Sequence, residues 1–156
     1  MRLRITFIGL LCFISVYAQR QIVIDKTQMR LYVVEQSDTL ESFPVCIGKN
    51  FGQKTRQGDH KTPEGDFTIS MIQNSSSWEH DFKDGHGIRE NAYGPWFFRL
   101  KTPMSRHIGI HGTCFPQSIG KRESEGCIRL KNEDLVNLYR YVFIGMKVRI
   151  TKDSIQ

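Results

Sequence analysis

The sequence from His107 to Leu130 reads HIGIHGTCFPQSIGKRESEGCIRL. A short apolar segment ends there at His111, and a Gly-Cys pair follows, with Cys127 sixteen residues after the histidine. A cysteine attacks a carbonyl only as the thiolate, so it needs a base or a positive field close by. If His111 ends a strand and the chain then returns Cys127 to the same sheet edge, the two residues form a candidate base and nucleophile.

The residues around Cys127 suggest supporting roles. Gly126 permits a tight turn and leaves backbone N–H groups uncovered, so we predict that the N–H groups of Gly126 and Cys127 stabilise an oxyanion. In an extended segment Arg129 projects to the same side as Cys127 and would bind a substrate carboxylate or favour the thiolate. The alternative is structural, with a packed thiol and an arginine that forms an ion pair.

A metal site is the rival chemistry, because His107, His111 and Cys114 lie close together in sequence. In a strand, four residues at about 3.3 Å each separate the two histidine Cα atoms by ~13 Å, which is too far to share a zinc ion. The glycine and two isoleucines between the histidines disfavour the helix that would bring them together. We therefore expect no metal.

The amino-terminal segment predicts export. Residues 1–18 contain Arg2 and Arg4, an apolar run from Ile5 to Val16 and a final Ala18, the pattern of a secretory signal peptide cleaved before Gln19. The apolar run is shorter than the roughly 20 residues that span a bilayer as a helix, so we expect no membrane span after cleavage. The predicted location is the periplasm or cell envelope.

The rest of the chain, residues 19–156, has the length of a single domain with its own core. The full chain carries a net charge of +6, and residues 1–18 hold two arginines and no acid, so the exported part would carry +4. This charge suits an anionic cell-envelope polymer, although solubility explains it equally well. Export also argues against nucleic acid as a partner.

Three cysteines remain after cleavage, namely Cys46, Cys114 and Cys127. An odd number in an oxidising compartment implies at least one free or intermolecularly paired thiol. A disulfide between Cys46 and Cys114 and a pair of packed thiols both remain open. A bridge between Cys114 and Cys127 would block the proposed chemistry.

Alternating polar and apolar residues predict a mainly β fold. We expect a hairpin from residues 21–25 and 29–35, with Leu31 and Val33 inward, and further strands at 42–47, 67–72, 96–100, 108–111 and 146–150. One helix is predicted, capped by Asn132, with Leu135, Leu138, Tyr139 and Val142 at helical spacing before Gly145. Residues 73–94, with Trp78 and Tyr93, form either a binding rim or a surface excursion.

Two separated motifs resemble the L,D-transpeptidase catalytic domain of the YkuD type. They read His-Gly-Thr at 111–113 and Ser-Glu-Gly-Cys-Ile-Arg-Leu at 124–130, and the segments 43–49 and 61–67 are similar to the family's upstream strand and Thr-Pro-x-Gly turn. The resemblance covers about residues 22–151. It implies a β-sandwich with one principal helix near the carboxyl terminus and no cofactor.

The resemblance also implies a reaction. Cys127 would attack the carbonyl between the third and fourth residues of a peptidoglycan stem, with His111 as base and then acid, and an amine on a neighbouring stem or water would resolve the thioester. The partners would be a donor tetrapeptide and an amine acceptor, and the protein a monomer. An L,D-carboxypeptidase with the same thioester and a non-catalytic wall-binding protein are the alternatives.

Further site residues follow from the resemblance. The carbonyl of Gly112 would orient His111, whereas Arg129, Ser124, Thr113, Trp96 and Tyr93 are the candidates for substrate contact. One position departs from the family pattern, because Glu125 stands where a second histidine is usual. A carboxylate there raises the thiol pKa unless it is paired, for example with Arg129 or Lys121.

Overall fold

β-Strands dominate the fold, which confirms the predicted mainly β class with one principal helix. The computed structural model describes residues 19–103 and 105–153, so the predicted signal peptide lies outside the described residues. The strands are β1 (Arg20–Asp25), β2 (Arg30–Glu35), β3 (Asp38–Pro44), β4 (Ile47–Gly48), β5 (Gly65–Asn74), β6 (His80–Asp81), β7 (Ile88–Arg89), β8 (Trp96–Leu100), β9 (Gly109–His111), β10 (Arg122–Ser124), β11 (Ile128–Arg129) and β12 (Lys147–Ile150). The helix α1 spans Asn132–Tyr139, and a 3₁₀ turn spans Pro116–Ser118.

Eight of these strands form a mixed sheet in the order β11-β9-β8-β5-β12-β1-β2-β3. The pairs β1–β12 and β9–β11 are parallel, and the other neighbours are antiparallel. Two residues beyond β3, Cys46 exchanges two backbone hydrogen bonds of 2.9 Å with Arg129 of β11. The sheet therefore curls until its two edge regions meet.

The core lies inside this curl. In the predicted hairpin, β1 and β2 pair antiparallel, with Ile22 beside Val33 and Ile24 beside Leu31. All four side chains are fully buried, and each contributes about 1.5–3 kcal/mol relative to an exposed position. Side chains from the opposite end of the sheet, Ile110 and Ile128 among them, belong to the same buried cluster.

The helix α1 packs Leu135 and Leu138 against the sheet. The predicted cap is wrong, because Lys131 occupies the N-cap position without a side-chain hydrogen bond. The Oδ1 atom of Asn132 instead accepts a hydrogen bond of 2.9 Å from the backbone N–H of Thr113. The helix also ends at Tyr139, short of the predicted residues beyond it.

Two predicted segments have different bounds. The strand expected at 42–47 begins earlier and ends at Pro44, and Cys46 beyond it pairs with Arg129 instead. The short β4 that follows pairs with β10 in a separate two-stranded sheet. Residues 73–94 are less irregular than expected, since β5 continues to Asn74 and β6 and β7 form a small hairpin.

Candidate active site

Two parallel strands bring the candidate nucleophile and base to one face of the sheet. The pairing of β9 with β11 sets His111 beside Arg129. Two steps back along this register, Cys127 comes beside Gly109. Residues two apart in a strand share a face, and neighbouring strands lie ~4.8 Å apart. The side chains of His111 and Cys127 therefore open onto the same cavity.

The imidazole of His111 is buried and neutral. Its Nδ1 lies 2.6 Å from the carbonyl oxygen of Gly112, and because a carbonyl only accepts, Nδ1 carries the proton and Nε2 keeps its lone pair. The ring stacks on Phe97 and meets the edge of Tyr93, with centroids 5.2 and 4.9 Å away. Burial, followed by the charge of Arg129, lowers the pKa of His111 to about 3. At neutral pH the ring is therefore a proton acceptor.

The thiol of Cys127 is protonated in this resting site. Burial raises its pKa above the ordinary value and outweighs the opposing effects of the Gly109 N–H and the charge of Arg129. Sγ donates a hydrogen bond of 3.3 Å to the carbonyl oxygen of His107. With a neutral imidazole and a neutral thiol, a nucleophilic attack by Cys127 would require the proton to leave sulfur during the attack and not before it.

Glycine is required at position 126 by the backbone and by close packing. Gly126 has a φ of +128°, which disfavours other residues. A Cβ there would lie 2.6 Å from the carbonyl oxygen of Lys61. The carbonyl of Gly126 accepts a hydrogen bond of 3.0 Å from the hydroxyl of Thr62. The segment 61–62 thus packs directly against the turn that carries Cys127.

The N–H of Gly126, predicted as an oxyanion donor, forms a hydrogen bond within its own turn. It donates to Oγ of Ser124 at 3.1 Å, and this hydroxyl in turn donates to the carbonyl oxygen of Cys127 at 2.6 Å. Ser124, predicted to contact substrate, is fully buried and closes the turn. Of the two predicted donors, the N–H of Cys127 remains.

A buried ion cluster anchors the loop that supports this turn. The ammonium of Lys26, with no exposed surface, lies 2.8 Å from carboxylate oxygens of both Glu64 and Asp153. It also donates to the carbonyl oxygens of Gly52 and Thr62 at 3.2 Å. Lysine is seldom fully buried, and nothing in the local sequence indicates the distant partners of Lys26.

Arg129 and Tyr93 line the cavity beside the nucleophile. Arg129 is buried, and its guanidinium carbon lies 5.1 Å from the centre of the Phe82 ring. Burial, with smaller contributions from Cys127 and Glu125, raises the pKa of Tyr93 to about 12, so its hydroxyl stays protonated. Both residues occupy positions compatible with their predicted substrate contacts.

Two other predicted substrate contacts lie elsewhere. Trp96 stacks on Tyr139 of α1 with centroids 4.6 Å apart, because alternate residues of β8 face opposite sides and Phe97 is the one that faces His111. Thr113 is buried; its N–H bonds Asn132 and its hydroxyl accepts from the N–H of Phe115 at 2.9 Å. Neither Trp96 nor Thr113, both predicted to contact substrate, lines the cavity.

Glu125 faces a histidine from the 73–94 segment. Its Oε2 lies 3.6 Å from Nε2 of His80, whereas the expected partners were Arg129 and Lys121. The side chain is half exposed and its charge acts on Cys127 by raising the pKa of the thiol. The sequence gives no signal for this contact, since the approach of His80 to residue 125 depends on the β6–β7 hairpin.

The cavity has a volume of about 740 Å³ and more positive than negative side chains in its wall. Four of its lining residues carry a positive charge: Lys49, Lys54, Lys83 and Arg129. Glu125 is the one carboxylate among the described residues that line it. The site therefore offers anion-binding groups, a nucleophile with a base, and a single negative charge close to sulfur.

The remaining cysteines are unpaired within the described segments. Cys46 is buried, Cys114 is partly exposed, and neither forms a disulfide with the other or with Cys127. Among residues 19–103 and 105–153 there is no group of three or more His, Cys, Asp or Glu placed to hold a metal. In the same part of the chain no helix has the length and apolar character to cross a membrane.

Comparison with known proteins extends these observations. A family model described as the L,D-transpeptidase catalytic domain, YkuD, matches residues 19–150. YqjB of Bacillus subtilis, which its name assigns to the L,D-transpeptidases, is 30% identical over 135 residues that cover 85% of this chain and 72% of that protein. A YkuD protein of Bacillus licheniformis, named in the same way, is 33% identical over 123 residues, or 79% and 59% of the two chains.

A solved structure supports the fold. L,D-transpeptidase 3 from Mycobacterium tuberculosis, in complex with a faropenem-derived adduct, superposes with a TM-score of 0.66 at 19% identity. The match covers 86% of this chain and 61% of that one. The chain thus spans about three fifths of several of the longer proteins that share its fold.

Proposed function

Because the chain belongs to the L,D-transpeptidase catalytic domain family, we propose that it is an exported cysteine acyltransferase that acts on peptidoglycan stem peptides. The observation that carries this proposal is the pairing of β9 with β11, which gives His111 and Cys127 a common face and a common cavity. A carbonyl carbon bound there is within reach of both a nucleophile and a base.

The first half-reaction follows from the protonation states. Neutral His111 takes the thiol proton through Nε2 while Sγ attacks the carbonyl carbon between the third and fourth stem residues. The hydrogen bond from Nδ1 to the Gly112 carbonyl stabilises the imidazolium that forms. The N–H of Cys127 stabilises the oxyanion. His111 then returns the proton to the departing D-amino acid, which leaves a thioester on Cys127.

The basic wall of the cavity suits this donor. Stem peptides carry carboxylates, and Arg129 together with the surrounding lysines supplies the complementary charge. In the second half-reaction an amine, or water in the carboxypeptidase alternative, attacks the thioester and regenerates the thiol. The enzyme acts as a monomer, and residues 19–156 form one domain released when the signal peptide is cleaved before Gln19.

Turnover of a defined donor tests the proposal. Purified protein incubated with a tetrapeptide muropeptide and an excess of free D-amino acid should exchange the terminal residue, as read by mass spectrometry. Cys127→Ala should abolish exchange, whereas Cys114→Ala, which removes a partly exposed thiol outside the cavity, should retain it. Turnover by Cys127→Ala would overturn the assignment, and tripeptide without exchange would identify the carboxypeptidase.

A further inference from the structure

We propose that Glu125, braced by His80, selects the acyl acceptor by docking its ammonium group beside the thioester on Cys127. The inference rests on the proposed function, since an acceptor enters only after a thioester has formed. It assigns a substrate contact to the position at which this chain departs from the usual family pattern.

The distribution of charge in the cavity is the first support. Four positive side chains line the wall, of which Lys54 is paired with Asp59 at 2.6 Å, and Glu125 supplies the one carboxylate among the described lining residues. A donor rich in carboxylates is attracted to the basic part of the wall. A cation is attracted only to Glu125, so the two substrates have separate and complementary places in one cavity.

The position of Glu125 is the second support. It lies two residues before Cys127 in the turn that Ser124 closes, and its charge acts on the nucleophile and on Tyr93. Its side chain is 48% exposed, so an incoming group can reach it. An ammonium bound to this carboxylate is therefore close to the acyl carbon carried by sulfur.

The contact with His80 is the third support. Nε2 of His80 lies 3.6 Å from the carboxylate, and the edge of its ring packs against Phe82 and Tyr93, with centroids 4.5 and 5.7 Å away. The histidine limits the rotamers available to Glu125 without covering it. The carboxylate is thus held toward the cavity in advance of acceptor binding.

In aminolysis of the thioester, the carboxylate of Glu125 accepts a proton from the incoming ammonium. An ammonium has no lone pair, so it first transfers one proton to Glu125 and becomes a neutral amine. The amine nitrogen then attacks the thioester carbon, a C–N bond forms and the C–S bond breaks. The second proton passes through His111 to sulfur, which restores the thiol, and Glu125 releases its proton to solvent. Hydrolysis by water does not involve an ammonium.

Partition between transfer and hydrolysis tests the inference. Purified full-length protein is given a tetrapeptide donor and D-methioninamide at pH 7, where an α-amino group is largely protonated and the amide removes the carboxylate. Transfer product and free tripeptide are quantified by mass spectrometry. Glu125→Gln should lower the ratio of transfer to hydrolysis about 3- to 10-fold, the range for a partly exposed charged contact. His80→Gln should lower it less.

Two controls separate docking from general damage. Glu123→Gln removes a neighbouring carboxylate that is 45% exposed and lies outside the cavity, and it should leave the ratio unchanged. With hydroxylamine, which is uncharged at pH 7, the ratio for Glu125→Gln should match that of the unaltered protein. An unchanged D-methioninamide ratio in Glu125→Gln overturns the inference alone. Failure of the unaltered protein to release any tripeptide or transfer product overturns the proposed function beneath it.

Discussion

At the scale of single residues, the site depends on two groups that are neutral for the same reason. Burial lowers the pKa of His111 and raises that of Cys127, so neither carries charge until substrate arrives. Arg129 opposes burial at the thiol but adds to its effect at the imidazole. In the proposed mechanism, the proton transfer between them is therefore coupled to carbonyl attack.

Replacement of the base tests this coupling. His111→Gln should reduce the rate of thioester formation by ~10² or more, the usual size of a general-base contribution. Rapid-quench mass spectrometry of the acylated protein measures that rate directly. Acylation at an unchanged rate would mean that another group accepts the thiol proton.

The same burial predicts acid sensitivity. The folded-state pKa of His111 is about 3 against an ordinary value of 6.5, so between these pH values the unfolded chain binds a proton that the folded chain does not. The contribution of neutral His111 to the free energy of unfolding is fully present above pH 6.5, and it is lost as the pH falls toward 3. Urea unfolding from pH 7 to pH 4 should show a steeper loss for the unaltered protein than for His111→Gln. Parallel curves would contradict a buried neutral ring.

Residue chemistry pointed to Cys127 and His111, because few side chains act as nucleophile and base, and the structure brings both residues to one cavity. The roles of Gly126 and Ser124 were not predictable, since one hydroxyl both accepts from and donates to the turn. The alternation of side chains along β8 defines two faces of the strand, but it does not indicate which face lies toward the site. Phe97 stacks on His111, whereas Trp96 stacks on Tyr139.

At the scale of elements, the loop before β5 acts on the nucleophile through Thr62. Its hydroxyl donates to the carbonyl of Gly126 and accepts from the N–H of Gly48 at 2.8 Å. This buried threonine therefore ties two segments to the turn before Cys127. The Thr-Pro segment is similar to a family feature in sequence, but its contact with the turn before Cys127 depends on the three-dimensional fold.

Thr62→Val keeps the shape of the side chain and removes the hydroxyl. We expect kcat to fall about 10-fold with little change in KM, because the nucleophile loses its position while the substrate contacts remain. Thr62→Ser should restore most of the rate. An equal loss of kcat in both variants, or a rise in KM alone, would contradict a positioning role. Either result would mean that Thr62 acts through packing.

The helix shows how tertiary contacts override local signals. Asn132 has the residue type of a cap, but its Oδ1 serves Thr113 in the loop after His111, and ideal Cβ atoms on Gly94 and Gly112 would lie within 2.3 Å of that oxygen. The helix start thus supports the segment that carries the Gly112 carbonyl. No sequence pattern within the helix predicts the hydrogen bond between Asn132 and Thr113.

At the scale of the whole molecule, the curled sheet and the buried ion cluster hold the site together. The bridge between Cys46 and Arg129 joins the two edge regions of the sheet, and Lys26 ties the start of the chain to the 52–64 loop and to Asp153 near its end. The alternation of apolar and polar residues predicted the hairpin and most strands. The bridge between Cys46 and Arg129 and the ion pairs of Lys26 join distant segments and have no sequence signature.

Removal of the buried ammonium should be costly. Lys26→Met leaves two carboxylates without their central partner, and we expect a loss of ~3–5 kcal/mol in the free energy of unfolding, measured with urea. Arg149→Met breaks the exposed pair with Asp66 and should leave the midpoint unchanged. Similar midpoints for Lys26→Met and the unaltered protein would show that the cluster does not stabilise the fold.

The central claim is that a stem peptide becomes covalently attached to Cys127. The most direct measurement is intact-mass spectrometry of the protein during turnover of a tetrapeptide donor, followed by proteolysis to locate the adduct. We expect an added tripeptidyl group on the proteolytic peptide that contains Cys127. When a free D-amino acid is supplied, this group should disappear from the protein and the exchanged stem peptide should appear. Turnover without any adduct on Cys127, or an adduct that persists in Cys127→Ala, would contradict the central claim.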